Sequence, residues 1–182
     1  MTRFALLLCA LALPGLASAA DYAVQPSGST LAFHGNFQGS GFDGHFEKFG
    51  AAIAYDPAHL DASKFDVTVD LASAKTGDND RDTALPGSDF FDVSKFPQAH
   101  FVTTAFHQVG GKVIADGNLT LHGVTKPVSL TVDFKPNGKT ATLDVKGTVQ
   151  RLDFGVGGGD YADTSVIANE VTVTAHLNLS AR

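Results

Sequence analysis

Between Leu119 and Val132 the chain reads Leu-Thr-Leu-His-Gly-Val-Thr-Lys-Pro-Val-Ser-Leu-Thr-Val, and this stretch limits the fold more than any other. Leu119 and Leu121 alternate with Thr120 and His122, and Val128, Leu130 and Val132 alternate with Ser129 and Thr131. A period of two is the pattern of a strand with one buried face. Gly123 supplies the backbone freedom of a tight connection. Pro127 has no N–H to give to a ladder, so it belongs at the start or edge of the returning strand. The reading is a β-hairpin whose two arms share an apolar face. That face has to be covered.

The same pattern recurs along the chain. Tyr22 and Val24 open a short strand, which the turn composition Pro26-Ser27-Gly28 is expected to end. Thr30 to Phe37 follows, with Leu31, Phe33, Gly35 and Phe37 on one face, and Gly39-Ser40-Gly41 punctuates it as a bend or hairpin. Further strands are expected over Phe46 to Tyr55, Phe65 to Leu71, Gln98 to His107, Lys112 to His122, Thr140 to Arg151 and Val171 to Leu179. The returning arm of the hairpin runs to Phe134. Only Asp78 to Leu85 departs from alternation. It is polar with an acidic first turn, which predicts a short helical insertion ended by Pro86-Gly87. Ser88 stands ready to cap a second short turn carrying Phe90 and Phe91.

About eight or nine strands joined by short turns predict an all-β, antiparallel meander with one short helical insertion. A sandwich and a closed barrel both need one apolar face per strand. Closure removes exposed edges, which favours a barrel of about eight strands.

The first residues stand apart from this domain. Arg3, the apolar run from Phe4 to Leu13, and Ala17-Ser18-Ala19 form the three parts of a secretory leader. The apolar run is too short to span a bilayer, so residues 1–19 are expected to be cleaved, leaving 20–182 as one domain, periplasmic or secreted. The single cysteine, Cys9, lies in the leader, which excludes disulfides and thiol chemistry from the mature chain. The chain carries 13 Lys and Arg against 19 Asp and Glu, a net charge of −6, or −7 without Arg3. An acidic exported domain is a poor partner for nucleic acid, and no stable membrane insertion is expected.

Of the 14 phenylalanines only Phe4 lies in the leader, and nine fall between Phe33 and Phe96. Phe buries a large apolar area and brings no polar group. An eight-stranded barrel is the size at which such side chains either fill the interior or leave one ligand cavity. Pattern alone leaves both open.

Several short runs then carry a family resemblance. They are Phe46-Glu-Lys-Phe-Gly50 followed by Asp56-Pro57, Ala72-Ser-Ala-Lys-Thr-Gly77, Asp89-Phe-Phe-Asp92 and Phe96-Pro-Gln-Ala-His-Phe101. The hairpin of Leu119 to Val128, Arg151-Leu-Asp-Phe-Gly155 and Asn169-Glu-Val171 complete the set. In their order and spacing the chain resembles the YceI family of exported lipid-binding proteins, which are lipocalin-like barrels. The resemblance implies non-catalytic binding, storage or transport of a polyisoprenoid or similar amphiphile in the lumen, with no cofactor. Members of the family can pair, which admits a homodimer. The family's Arg-Asp-x-His-Leu pattern reads Arg81-Asp82-Thr83-Ala84-Leu85 here and runs into Pro86, so a head-group role for this segment does not carry over.

The expected lining comprises Phe33, Phe37 and Phe46 from the early strands and Val67, Val69 and Leu71 from the next. Phe90 and Phe91 join it from the insertion, Phe101 from the following strand, and Leu119, Leu121 and Leu130 from the hairpin. Lys126 and Arg151 are the charges expected at the rim, where each either pairs a carboxylate or meets a ligand's polar head. The seven histidines lack ligand spacing, so no metal site is expected. Asp78, Asn79, Asp80 and Asp82 lack the glycine and glutamate of a calcium loop, and Gly157-Gly-Gly159 lacks the context of a nucleotide loop. No serine stands in a nucleophile motif, so no catalytic residue is assigned. His122 is read as a turn residue. Two other readings stay open: a filled-core interaction module of an envelope stress response, and an enzyme acting on lipids.

Overall fold

The hairpin at the centre of the sequence forms with strands over Lys112–Leu121 and Val124–Asn137. His122 and Gly123 make the whole turn, both with positive φ (52° and 77°), the feature of a two-residue type I′ connection that matches strand twist. Leu121 pairs with Val124 next to the turn, and Thr120 faces Thr125 with their hydroxyls 2.8 Å apart. Pro127 falls opposite Asn118, a position whose N–H would point away from the partner arm. On that other side the next strand has not begun to pair; its ladder starts at Leu130 opposite Gly147. Proline therefore sits inside this strand at no cost in hydrogen bonds.

In a computed structural model, residues 19–182 are described, and the leader expected over 1–19 lies outside them except for its last residue. In chain order the strands are β1 Ala20–Phe37, β2 Ser40–Phe46, β3 Phe49–Tyr55, β4 Lys64–Asp70, β5 Ala74–Lys75, β6 Gln98–Val109, β7 Lys112–Leu121, β8 Val124–Asn137, β9 Thr140–Gln150 and β10 Glu170–Ala181. The helix α1, Asn79–Ala84, lies between β5 and β6. Neighbours pair antiparallel throughout, and β10 closes the sheet by pairing with β1. The beginning of β1 pairs with β3 and its end with β2, so β2 and β3 are two halves of one leg. β4 and β5 form the next leg in the same way. The result is a closed antiparallel barrel of eight legs.

Ser73 explains how two legs bend together. Its carbonyl accepts from Glu47 N at 3.1 Å and its hydroxyl accepts from Lys48 N at 3.0 Å. Both backbone groups freed by the β2–β3 break are thus satisfied by one buried residue.

Two expected boundaries shift. Pro26-Ser27-Gly28 does not end the first strand; β1 runs through it with a bulge, four residues from Pro26 to Ser29 facing Leu177 alone. The interrupted ladder is replaced by side chains, with Asn178 N donating to Ser29 Oγ at 2.9 Å and Asn178 Nδ2 to Ser27 O at 3.2 Å. The punctuation at Gly39 is a type I′-like turn of Gln38 and Gly39 (φ 51° and 78°), and it opens β2, a strand the alternation did not reveal. The insertion agrees with its reading: Asp78 caps α1 by accepting from Asp80 N and Arg81 N. Among the described residues no helix is long and apolar enough to cross a membrane.

Candidate ligand-binding cavity

One end of the barrel is closed by rings. Tyr55 lies 4.7 Å from Phe134, 5.9 Å from Phe65 and 6.0 Å from Phe106, centroid to centroid, and Phe65 meets Phe106 at 4.9 Å. Tyr22 packs on Phe134 at 5.5 Å. Each such pair contributes about 0.5–1.5 kcal/mol beyond its area burial. This aromatic floor uses Phe and Tyr side chains that alternate inward near the strand ends.

Above the floor lies a cavity of about 250 Å³. Its wall is apolar nearly throughout; Asn36 and Arg151 are the only polar residues bordering it among those described. Phe33, Phe46, Val67, Val69 and Leu71 border it from the first half of the chain. So do Phe90 and Phe91 from the insertion, Phe101 on β6, Leu119 and Leu121 on β7, and Leu130 on β8.

Phe37 does not. It keeps the inward phase of Phe33 and Gly35, but β1 there has outrun the barrel and ends in a hairpin. Phe37 is 39% exposed, paired with Ser40 across the hairpin and bridged to Ile167 on its other side. Its chain neighbour Asn36 and its bridge partner Ile167 do border the cavity. Lys126 is a parallel case. It faces Leu119 across the ladder and shares its inward phase, yet it lies before the β8–β9 ladder begins and is exposed. It does not border the cavity, and no ion pair of Lys126 occurs among the described residues.

Arg151 differs from the expectation of an ion pair. It is 5% exposed and, among the described residues, meets no carboxylate. Nε donates to Ala168 O at 3.1 Å, Nη1 to Val156 O at 2.9 Å and Gly157 O at 2.5 Å, and Nη2 to Tyr161 O and Ile167 O, both at 2.8 Å. Guanidinium has five N–H donors, and all five are taken by backbone carbonyls of the 156–168 loop. Burial pushes its pKa down from the usual arginine value, and the carbonyl dipoles take the place of water around the charge. Arg151 builds the wall of the cavity mouth. It has no donor left for a ligand.

The insertion and this loop meet over the mouth. Phe90 packs on Tyr161 at 5.0 Å, and Gly157 N donates to Asp89 O at 2.8 Å. His122 is a turn residue that also fastens this end: Nδ1 lies 3.1 Å from Phe154 O, and its ring meets Phe96 at 5.1 Å. Five other histidines each sit within 2.6–3.2 Å of one aspartate, away from the cavity. The acidic run has local partners as well, for Asp82 accepts from Thr76 N and Oγ1, both at 2.7 Å. Among the described residues no three His, Cys, Asp or Glu come together as a metal site.

The lining also includes residues not singled out from the sequence, among them Phe42, Phe49, Ile53, Leu143, Val149 and Val173. The signal was present: Leu143 and Val149 alternate inward on β9, and Val173 on β10. Phenylalanine is concentrated in the first half, whereas a closed barrel takes its wall from every leg.

The chain matches the model of the YceI-like domain over residues 22–179. It is similar to Protein YceI of Salmonella arizonae, 33% identical over 151 residues, covering 78% of this chain and 79% of that protein. Among solved structures it is similar to Burkholderia cenocepacia BcnA, with TM-score 0.81 and 34% identity over 85% of this chain and 98% of the other. A polyisoprenoid binding domain from Saccharophagus degradans, implicated in plant cell wall breakdown, shares the fold with TM-score 0.69 at 18% identity, over 90% and 99% of the two chains.

Proposed function

The chain belongs to the YceI family, and on that premise we propose that it binds a polyisoprenoid or similar amphiphilic lipid in the barrel lumen, without chemistry on it. The observation that carries this reading is the wall of the cavity. An apolar cavity of about 250 Å³ leaves the side chains along its wall without packing partners when it is empty. An apolar space of this kind does not attract water; a hydrocarbon chain fills it and gains about 0.8 kcal/mol for each methylene buried. That the Saccharophagus protein of the same fold is a polyisoprenoid binding domain agrees with this ligand class.

A catalytic reading needs titratable groups converging on the lumen. Among the described residues the one ionisable group at the wall is Arg151, and its five donors are occupied. A filled-core interaction module predicts no cavity above the aromatic floor. Export to the periplasm belongs to the same proposal and rests on the leader at 1–19; storage or carriage of the lipid there is the role such a domain serves.

The test is mass spectrometry of organic extracts from natively purified protein, followed by titration of the delipidated protein with a prenyl quinone and a fatty amide. A co-purifying lipid, or saturable uptake with a rise in Tm, is expected. Empty extracts with no uptake of either probe overturn the reading.

A further inference from the structure

Three places on the barrel wall pair a glycine directly with a large apolar side chain: Gly35 with Phe42, Gly44 with Phe33, and Gly147 with Leu130. A β-carbon at Gly35 would meet Phe42 Cζ at 2.6 Å; at Gly44 it would overlap the far edge of the Phe33 ring, and at Gly147 it would overlap Leu130 Cδ2. None of the three glycines has positive φ, so the backbone does not require glycine there. Glycine inside a strand otherwise weakens it and marks a place where something approaches closely. What approaches here is the cross-strand side chain. Phe33, Phe42 and Leu130 fold back over these recesses and line the cavity from that position.

We infer that Gly35, Gly44 and Gly147 are specificity-determining residues: by recessing three large side chains into the wall they set the bore of the lumen, and the bore selects the hydrocarbon. The inference rests on the lipid-binding reading and names its selectivity. The donors of Arg151 are occupied, and among the described residues Asn36 is the one other polar residue bordering an otherwise apolar wall, so discrimination along the lumen is by cross-section. A methyl-branched prenyl chain is wider than a linear alkyl chain. A side chain added at a recess pushes the Phe or Leu inward and excludes the branched chain first.

Wild type, Gly44→Ala and Gly147→Ala are compared by displacement of a fluorescent hydrophobic dye with geranylgeraniol and with hexadecanol. Both variants are expected to lose at least about tenfold in affinity for geranylgeraniol and to stay within about threefold for hexadecanol, the scale on which single methylenes discriminate in apolar pockets. The bore is also read without lipid. The volume change of unfolding under pressure scales with internal void, and its magnitude falls in both variants. If wild type takes up neither probe, the lipid-binding reading fails while the pressure measurement still decides the bore. Unchanged unfolding volume, or equal losses for both probes in folded variants, overturns the inference. Should Gly44→Ala fail to fold, adding Phe33→Leu removes the ring edge it strikes and is expected to restore folding; no recovery overturns the inference as well.

Discussion

Among the described residues no acidic group answers the charge of Arg151. Five carbonyls from one loop surround it, and the planar fork of guanidinium is the one side chain that reaches them all. Lysine at this position keeps the charge but offers three donors, so at least two of the five carbonyls lose their partner. At about 1–3 kcal/mol for each unpaired buried group, Arg151→Lys is expected to destabilise the protein by about 2–6 kcal/mol in urea unfolding. The same variant should be cut faster within 156–168 in limited proteolysis, because the loop loses its anchor. Equal stability and equal cleavage would show that the carbonyls are satisfied without it. From the sequence Arg151 was legible as an unusual charge, but its role was not. Its partners are main-chain groups, which every residue carries and no motif displays.

At the scale of elements, alternation located most strands because one face of each is buried. It failed where backbone groups are satisfied by something other than a ladder. Pro26-Ser27-Gly28 has the composition of a turn, yet Ser29 and Asn178 supply the missing hydrogen bonds and keep β1 continuous. β2 escaped notice because its inward positions include Gly44, whose apolar content is lent by Phe33 from the facing strand. The helix was legible because capping is local. α1 has only six residues, too few to hold its shape alone, so Asp78 and the packing of the insertion hold it together. Asp78→Ala is expected to cost about 1 kcal/mol in equilibrium unfolding, and Asp78→Asn, which retains an accepting oxygen, substantially less. Equal losses in the two variants would place the effect in the Asp78–Arg81 ion pair, 3.3 Å apart, and not in the cap.

For the whole molecule, closure was the inference that mattered, and it followed from edges that alternating strands cannot leave open. The size of the cavity did not follow, because the volume left inside depends on how far each side chain folds back against the wall. Outside the lumen the molecule has its own signature, one of carboxylates held by neighbours. Hydrogen bonds hold the pKa of Asp56 down through His59, Asp82 through Thr76, Asp92 through Lys95 and Ser94, Asp144 through His176, and Asp163 through Ser165. A carboxylate whose folded pKa lies below its unfolded value binds fewer protons folded than unfolded, so it adds stability above the unfolded pKa of about 3.9. That stability is lost as pH falls from there through the folded values. Thermal unfolding is therefore expected to be insensitive to these groups above about pH 5 and to give a falling Tm below about pH 4. Asp92 is the sharpest probe, being buried while its carboxylate accepts from Ser94 Oγ and Lys95 Nζ, both at 2.8 Å. Asp92→Asn should lower Tm near pH 7 and flatten the acid limb, since the neutral amide has no proton to gain. A Tm that holds constant to pH 3 in the wild type, or an acid limb equally steep in Asp92→Asn, would remove these carboxylates from the account of acid stability.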